Sequence, residues 1–303
     1  MKTIGKLLGG KLLTYASVFV FLSLASCQDR LEFDGNDSDN VENEASTDSY
    51  FEDTDDMATL SVSVESGAVS GRETSGGRMG VKPTDLRFTC ATVTYEAAAD
   101  NSTTTPHGYI TIDFGTGCTD TKGNTRKGKI KVEFTGRRFI PGSTIVTILD
   151  GYVVNGVALE GKRTVTNIAG STEDNPKFSI VLTGGKATWT ATDGTVTTAS
   201  REVNRTREWI RATVPANDQW IVGGSAAGVN RKGKVYEMTI TKPLVYKREC
   251  ALGSRVFMAV EGTKELVVDG KKITIDYGTG TCDRLVTITV NGKSKEIEVR
   301  GEI

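Results

Sequence analysis

The 303-residue chain has a single histidine, His107. That excludes metal centres built on several imidazoles and leaves one imidazole for any acid–base chemistry. His107 follows Pro106 in a polar stretch and reads as a solvated loop residue. No serine sits in a Gly-x-Ser-x-Gly context, so the hydrolase nucleophile elbow is missing. Gly223-Gly224-Ser225-Ala226-Ala227-Gly228 lacks a following Lys-Ser/Thr, which argues against a phosphate cradle and for a flexible turn. Asp113 and Asp120 offer oxygen ligands, but the body has no Asp-x-Asp-x-Asp-Gly loop to organise calcium. The reading therefore assigns no metal and no cofactor. The formal net charge is only −1, which gives a nucleic acid little to bind. Proline is scarce at 6 residues, and no convincing amphipathic helix follows the N-terminal segment.

Long apolar runs are also few. The only one is Leu12 to Leu24, preceded by Lys2, Lys6 and Lys11 and followed by small residues. That order is a secretory signal peptide, too short and wrongly flanked for a lasting membrane span. It ends in Leu24-Ala25-Ser26-Cys27, which resembles the lipobox of bacterial lipoproteins. The resemblance implies cleavage before Cys27 and acylation of that residue, which anchors the protein firmly in a bilayer. Gln28 follows the cysteine instead of an aspartate, which favours an outer-membrane lipoprotein, either periplasmic-facing or exposed at the cell surface.

From Gln28 to Glu65 the chain carries about thirteen acids against one base, Arg30. Such a segment has too little apolar surface to offset its chain entropy. Residues 27–57 are therefore expected to be an acylated cysteine plus a disordered tether, after a signal peptide over 1–26. Residues 58–303 are expected to form the folded body.

Four cysteines remain there: Cys90, Cys118, Cys250 and Cys282. In an oxidising compartment an even count reads as disulfides. An internal repeat selects a pairing. Lys82-Pro83-x6-Cys90 returns as Lys242-Pro243-x6-Cys250. Ile110-Thr111-Ile112-Asp113-Phe114-Gly115-Thr116-Gly117-Cys118 returns as Ile273-Thr274-Ile275-Asp276-Tyr277-Gly278-Thr279-Gly280-Thr281-Cys282. Corresponding cysteines should do corresponding jobs, so Cys90–Cys118 and Cys250–Cys282 are expected, with crossed pairing as the alternative. Each midpoint, Asn101 to Pro106 and Glu261 to Lys264, reads as a turn between folded-back strands.

Most of the body alternates apolar and polar residues with period two. Lys129 to Phe134, Ile110 to Phe114, Phe178 to Leu182, Val286 to Val290 and Ile297 to Val299 all do so. Alternation over short runs predicts half-buried antiparallel strands. Asn155-Gly156, Asp193-Gly194, Asp269-Gly270 and Asn291-Gly292 predict tight hairpins. The expected fold is all-β: an antiparallel meander, or a twisted sandwich or barrel-like sheet, with an internal duplication. Trp189, Trp209 and Trp220 lie near Arg201, Arg205, Arg207 and Arg211, and this is the expected binding surface for an envelope glycan or protein.

The lipobox, the paired Lys-Pro-x6-Cys blocks and the paired Ile-Thr-Ile-Asp-(Phe/Tyr)-Gly-Thr-Gly blocks resemble a group of Bacteroidota lipoproteins of no assigned activity. The match covers mainly residues 82–136 and 228–291. It implies an envelope location and disulfides, and no chemistry. The functional expectation is a lipid-anchored, non-enzymatic binding or structural module whose partners are the membrane and an envelope glycan or protein. The alternative is a carbohydrate-active or other hydrolase that uses carboxylates such as Asp113 and Asp276.

Overall fold

The computed structural model describes residues 35–68, 78–79, 83–121, 123–172, 174–254, 256 and 258–299. The signal segment and Cys27 lie outside the described residues. The described residues open with a long helix, α1 (Gly35–Ala68). It continues as β1 (Arg78–Met79), β2 (Thr92–Ala97), β3 (His107–Asp113), β4 (Cys118–Thr119), β5 (Thr125–Thr135), β6 (Thr144–Val154), β7 (Val157–Asn167) and β8 (Lys177–Thr190). Then come β9 (Val196–Ile210), β10 (Gln219–Val229), β11 (Val235–Lys247), a short helix α2 (Arg248–Gly253), β12 (Glu261–Val268), β13 (Lys271–Thr279), β14 (Leu285–Val290) and β15 (Lys293–Glu298).

All the strands join one antiparallel sheet in which sequence neighbours are spatial neighbours. The exception is β4, which pairs with β5 only. The sheet is an open meander that does not close into a barrel. Alternation drives it: along β12 every second residue is buried, from Gly262 to Val268. Three of the four hairpin dipeptides form two-residue turns; Asp193-Gly194 lies in the longer β8–β9 connection, where Gly194 but not Asp193 takes positive φ. Asn155, Asp269 and Asn291 take φ of 49°, 51° and 49°, each followed by a glycine with positive φ, the backbone of a two-residue hairpin turn.

The sheet bends along a line of irregularities. Register shifts fall at Lys127/Lys129 in β5, Ile148/Val153 in β6, Glu160/Lys162 in β7 and Leu182/Gly185 in β8. They recur at Val222/Ser225 in β10. Glycines occupy the crowded points: a Cβ on Gly128 would overlap the Gly151 carbonyl oxygen, and one on Gly185 the Arg201 carbonyl oxygen. Bulges sharpen local twist and bend strands. Stacked side by side, they curl the sheet around α1.

The helix is the main departure from the sequence reading. Residues 35–57, expected in a disordered tether, form its first part, and the expected boundary at residue 58 falls inside it. Val41, Tyr50, Phe51, Met57, Ala58 and Val62 share one core with strand residues such as Ile110, Leu159 and Ile273. Buried hydroxyls are satisfied within the helix: Thr54 Oγ1 donates to Phe51 O at 2.8 Å and Ser61 Oγ to Ala58 O at 2.7 Å. This local bonding satisfies these two hydroxyls inside a buried helix, whereas Ser46 Oγ is buried without a hydrogen-bond partner. Entropy and composition argued for disorder, but the partners of the acids lie far away in sequence.

Two smaller expectations also change. Gly223 to Gly228 lies within strand β10 and is no turn. Glu261 to Lys264 lies in strand β12, and the turn of that unit is Asp269-Gly270.

Candidate functional site

The inner face of the sheet is cationic, and α1 lies on it as the matching anion. Strand β9 shows how the sequence builds this. Ala199, Arg201, Val203, Arg205, Arg207 and Trp209 occupy alternate positions and share the inner face. Arg201 is fully buried and Arg205 is 4% exposed. On α1, Glu44, Asp48, Glu52 and Asp55 recur every three or four residues and so line one helix face.

The pairs interlock. Arg201 Nη2 donates to Glu44 Oε1 at 3.0 Å and to Asp48 Oδ1 at 2.8 Å. Arg205 Nη1 donates to both oxygens of Asp48 at 3.0 Å. Arg207 Nη2 reaches Glu52 Oε2 at 2.5 Å. From β7, Arg163 Nη2 donates to Glu52 Oε1 at 2.7 Å, and its Nε lies 3.2 Å from Asp55 Oδ1. From β12, Lys264 binds Glu44 Oε2. On the opposite flank of the helix, Arg126 of β5 pairs with Asp53 at 2.6 Å and with the Tyr152 hydroxyl. Arg87, on the 3-10 turn Leu86–Phe88, holds Asp53 at 2.9 Å and Asp56 at 2.5 Å. Near the helix start, Lys271 of β13 binds Asp37 at 2.7 Å, and Lys232 binds Asp39 at 2.5 Å.

Burial alone would raise the pKa of these carboxylic acids. The facing cations overcome it. Lys264 and Arg201 hold Glu44 below its ordinary value, and Arg201 and Arg205 do the same for Asp48. Burial is likewise outweighed at Glu52, where Arg163 and Arg207 push the acid down to about 2. Across the interface, Glu44 outweighs the burial penalty on Lys264 and raises it above the ordinary lysine value. Glu44, Asp48 and Glu52 are therefore ionised across the neutral range, each facing buried cations.

A second cluster lies where β9 and β10 pair Trp209 with Trp220. The two indoles stack with centroids 6.0 Å apart and planes 20° apart. The Arg211 guanidinium carbon sits 4.4 Å from the centroids of both Trp209 and Phe139. Arg138, in the β5–β6 loop, lies 5.2 Å from the Phe139 ring and 6.0 Å from Trp209. A cleft with about 40 Å³ of free space opens beside these groups, lined among others by Arg138, Asn167, Phe178, Trp209 and Trp220. Pockets that enclose a whole small molecule run to ~300–1,000 Å³, so this cleft admits only one functional group.

The expected Trp/Arg surface is thereby divided. Trp209, Trp220, Arg207 and Arg211 do come together. Arg201 and Arg205 are buried under α1, and Trp189 lies towards the other end of β8, edge-on to Tyr50 with Arg231 4.3 Å from its ring centroid. The expected surface therefore does not exist as one exposed face: the acids on α1 draw its arginines inward. Arg138, Phe139 and Asn167 were missed, because nothing in the sequence near them marks a partner 70 residues away.

No family model, no curated protein and no solved structure matches the chain.

The cysteines pair locally. Cys90–Cys118 and Cys250–Cys282 have Cα separations of 5.9 and 5.0 Å. The first closes the β2–β3 hairpin and the second the β12–β13 hairpin. Asp113 and Asp276 serve matching turns: Gly115 N–H donates to Asp113 Oδ1 at 2.7 Å, and Gly278 N–H to Asp276 Oδ1 at 2.8 Å. Asp113 also pairs with Lys129 at 3.0 Å. His107 opens strand β3 and is not a loop residue. Its Nδ1 lies 2.5 Å from Asp100 Oδ1 and its Nε2 3.2 Å from Glu133 Oε1. These two acids raise its pKa against a burial penalty.

Proposed function

We propose that this chain is a lipid-anchored protein of the bacterial cell envelope that acts by binding, with its sheet as a rigid frame and no catalysis of its own. The observation that carries the reading is the use made of the ionisable groups. The carboxylates sequence analysis offered to a hydrolase, Asp113 and Asp276, each accept a backbone N–H in a tight turn. The buried carboxylates of α1 are matched to arginine or lysine, and neutralised carboxylate–guanidinium pairs hold a fold together without offering a base.

The anchor rests on the resemblance of residues 24–27 to a lipobox. The two hairpin disulfides fit an exported, oxidising compartment. Among the described residues no helix is long and apolar enough to cross a membrane, so Cys27 is the attachment this reading uses. The likeness of residues 82–136 and 228–291 to Bacteroidota lipoproteins agrees with an outer-membrane address.

The test is metabolic labelling with a fatty acid, followed by fractionation. Wild-type protein should carry the label and sediment with outer membranes, and Cys27→Ser should lose both. An unlabelled wild type refutes the anchor. Turnover of an envelope polysaccharide that Asp113→Asn or Asp276→Asn abolishes would refute the non-enzymatic reading.

A further inference from the structure

Arg138 is placed oddly for a cation. Its guanidinium is half-buried, and among the described residues it forms no ion pair. Its one side-chain donation is from Nη1 to Ser63 Oγ at 3.0 Å. The nearest acids are committed elsewhere: Asp55 to Arg163 and Arg207, and Asp56 to Arg87. Burial pushes Arg138 down to about 10; Asp55, which also lines the cleft, and Asp56 oppose the shift, and the neighbouring cations Arg207 and Arg211 add to it. Arg211 likewise has no carboxylate partner among the described residues. Two guanidinium groups without a carboxylate partner among the described residues thus lie together over Trp209.

The same cleft contains orphaned polar atoms. Asn167 is 1% exposed. Its amide nitrogen donates to the Arg138 carbonyl at 2.9 Å, but its Oδ1 has no partner. Trp209 Nε1, on a second lining residue, is also buried without an acceptor. Each such group costs ~1–3 kcal/mol, and although other buried atoms such as Ser46 Oγ and Thr147 Oγ1 also lack hydrogen-bond partners, these two belong to residues lining an opening that a ligand can enter. An unpaired acceptor on Asn167, an unpaired donor on Trp209 and a cation without an ion pair, Arg138, all line this one opening, and together they describe a receptor for a ligand group that both accepts and donates.

We propose that this cleft is a binding site for the anionic group of a sugar, a carboxylate or phosphate, with the sugar ring resting on the Trp209/Trp220 pair. Free space of about 40 Å³ suits the charged group alone. Arg138 supplies the counter-charge, and Trp209 Nε1 donates to an anionic oxygen. Asn167 Oδ1 accepts from a sugar hydroxyl, which distinguishes a glycan from a bare anion. Trp209 carries Arg211 4.4 Å from its ring centroid, so within the stacked pair it is the half-buried Trp220 that offers the flat apolar surface the C–H face of a pyranose covers. The proposal rests on the reading of the chain as a binding protein and specifies its ligand class.

The experiment uses detergent-solubilised full-length protein and its tryptophan fluorescence, titrated separately with trigalacturonate, a phosphorylated mannose oligosaccharide, neutral maltotriose and inorganic phosphate. One or both anionic oligosaccharides should bind at least tenfold more tightly than maltotriose and than inorganic phosphate. The stronger of the two identifies carboxylate or phosphate as the preferred group. Arg138→Gln, which keeps a polar side chain, should weaken that binding at least tenfold, and so should Trp220→Ala. Lys131→Gln, in an exposed pair with Asp150, should change nothing. Unchanged near-ultraviolet circular dichroism in Arg138→Gln establishes that the frame is intact. Equal affinity for charged and neutral sugars, no binding at millimolar concentration, or binding indifferent to Arg138→Gln would overturn the site. Chromatography of the same mixtures separates the two claims: cleaved sugar would refute the non-enzymatic reading while leaving the site in place.

Discussion

Gly128 sits in β5 with φ of 78°, facing the Gly151 carbonyl oxygen of β6. Gly128→Ala would meet both the left-handed backbone penalty and a steric overlap. It should cost about 2–4 kcal/mol, read as a lower denaturation midpoint in urea. Glu44 poses the electrostatic counterpart. Among the described residues it is the only carboxylate paired with Lys264, whose side chain is 4% exposed. Glu44→Leu should therefore cost about 3–5 kcal/mol by leaving a buried ammonium unmatched and taking from Arg201 one of two carboxylate partners, Asp48 being the one it keeps. Adding Lys264→Met should recover most of that loss, because the pair is replaced by apolar groups of similar size. Failure of the second substitution to rescue the first would show that the pair is not the source of the cost. At this scale much was legible: the glycines of Asn155-Gly156 and Asp269-Gly270, the cysteine pairing and the strand alternation all follow from local sequence. Lys264 was not, since its partner is 220 residues away.

Helix α1 is where local sequence and tertiary structure part. A helix is usually recognised by an apolar stripe. In α1 the buried positions are filled by Glu44, Thr47, Asp53 and Asp55 as well as by Val41 and Phe51, so no stripe exists. Two weaker signals were present. The acids at 44, 48, 52 and 55 have helical spacing, and the arginines at 201, 205 and 207 hold the inward positions of a strand. Neither means much without the other, because each is costly to bury alone. Their union has a pH signature. Glu44, Asp48 and Glu52 have pKa values below those of an unfolded chain. Their stabilisation is complete above about pH 4.5 and is lost as pH falls towards 2. Thermal midpoints should therefore be flat near neutrality and drop steeply over that window. Sodium chloride should have little effect at pH 7, since buried pairs are weakly screened. A midpoint unchanged down to pH 2.5 would contradict the lowered values.

On the scale of the whole molecule, the fold is an open sheet curled over its own acidic segment and secured near both ends by disulfides. Cys90–Cys118 and Cys250–Cys282 span 28 and 32 residues, and chain-entropy arguments give about 3–4 kcal/mol for each. Non-reducing peptide mapping should find no linked peptide joining residues near 90 to residues near 250. Reduction should lower the denaturation midpoint without removing the sheet's circular dichroism signal at 20 °C. The all-β class was legible because alternation is a local property. The curl was not, because it depends on bulges aligning across β5 to β8, a relation between strands.

The claim on which these readings depend is that the acidic segment is folded into the sheet. Hydrogen–deuterium exchange of the full-length protein at pH 7 tests it directly, through peptides covering residues 44–58. The account predicts protection comparable with that of β5 to β9, because α1 can exchange only when its ion pairs and core contacts with the sheet open together. Complete exchange of these peptides within seconds, while the strands stay protected, would show the segment to be a free tether and would contradict the account.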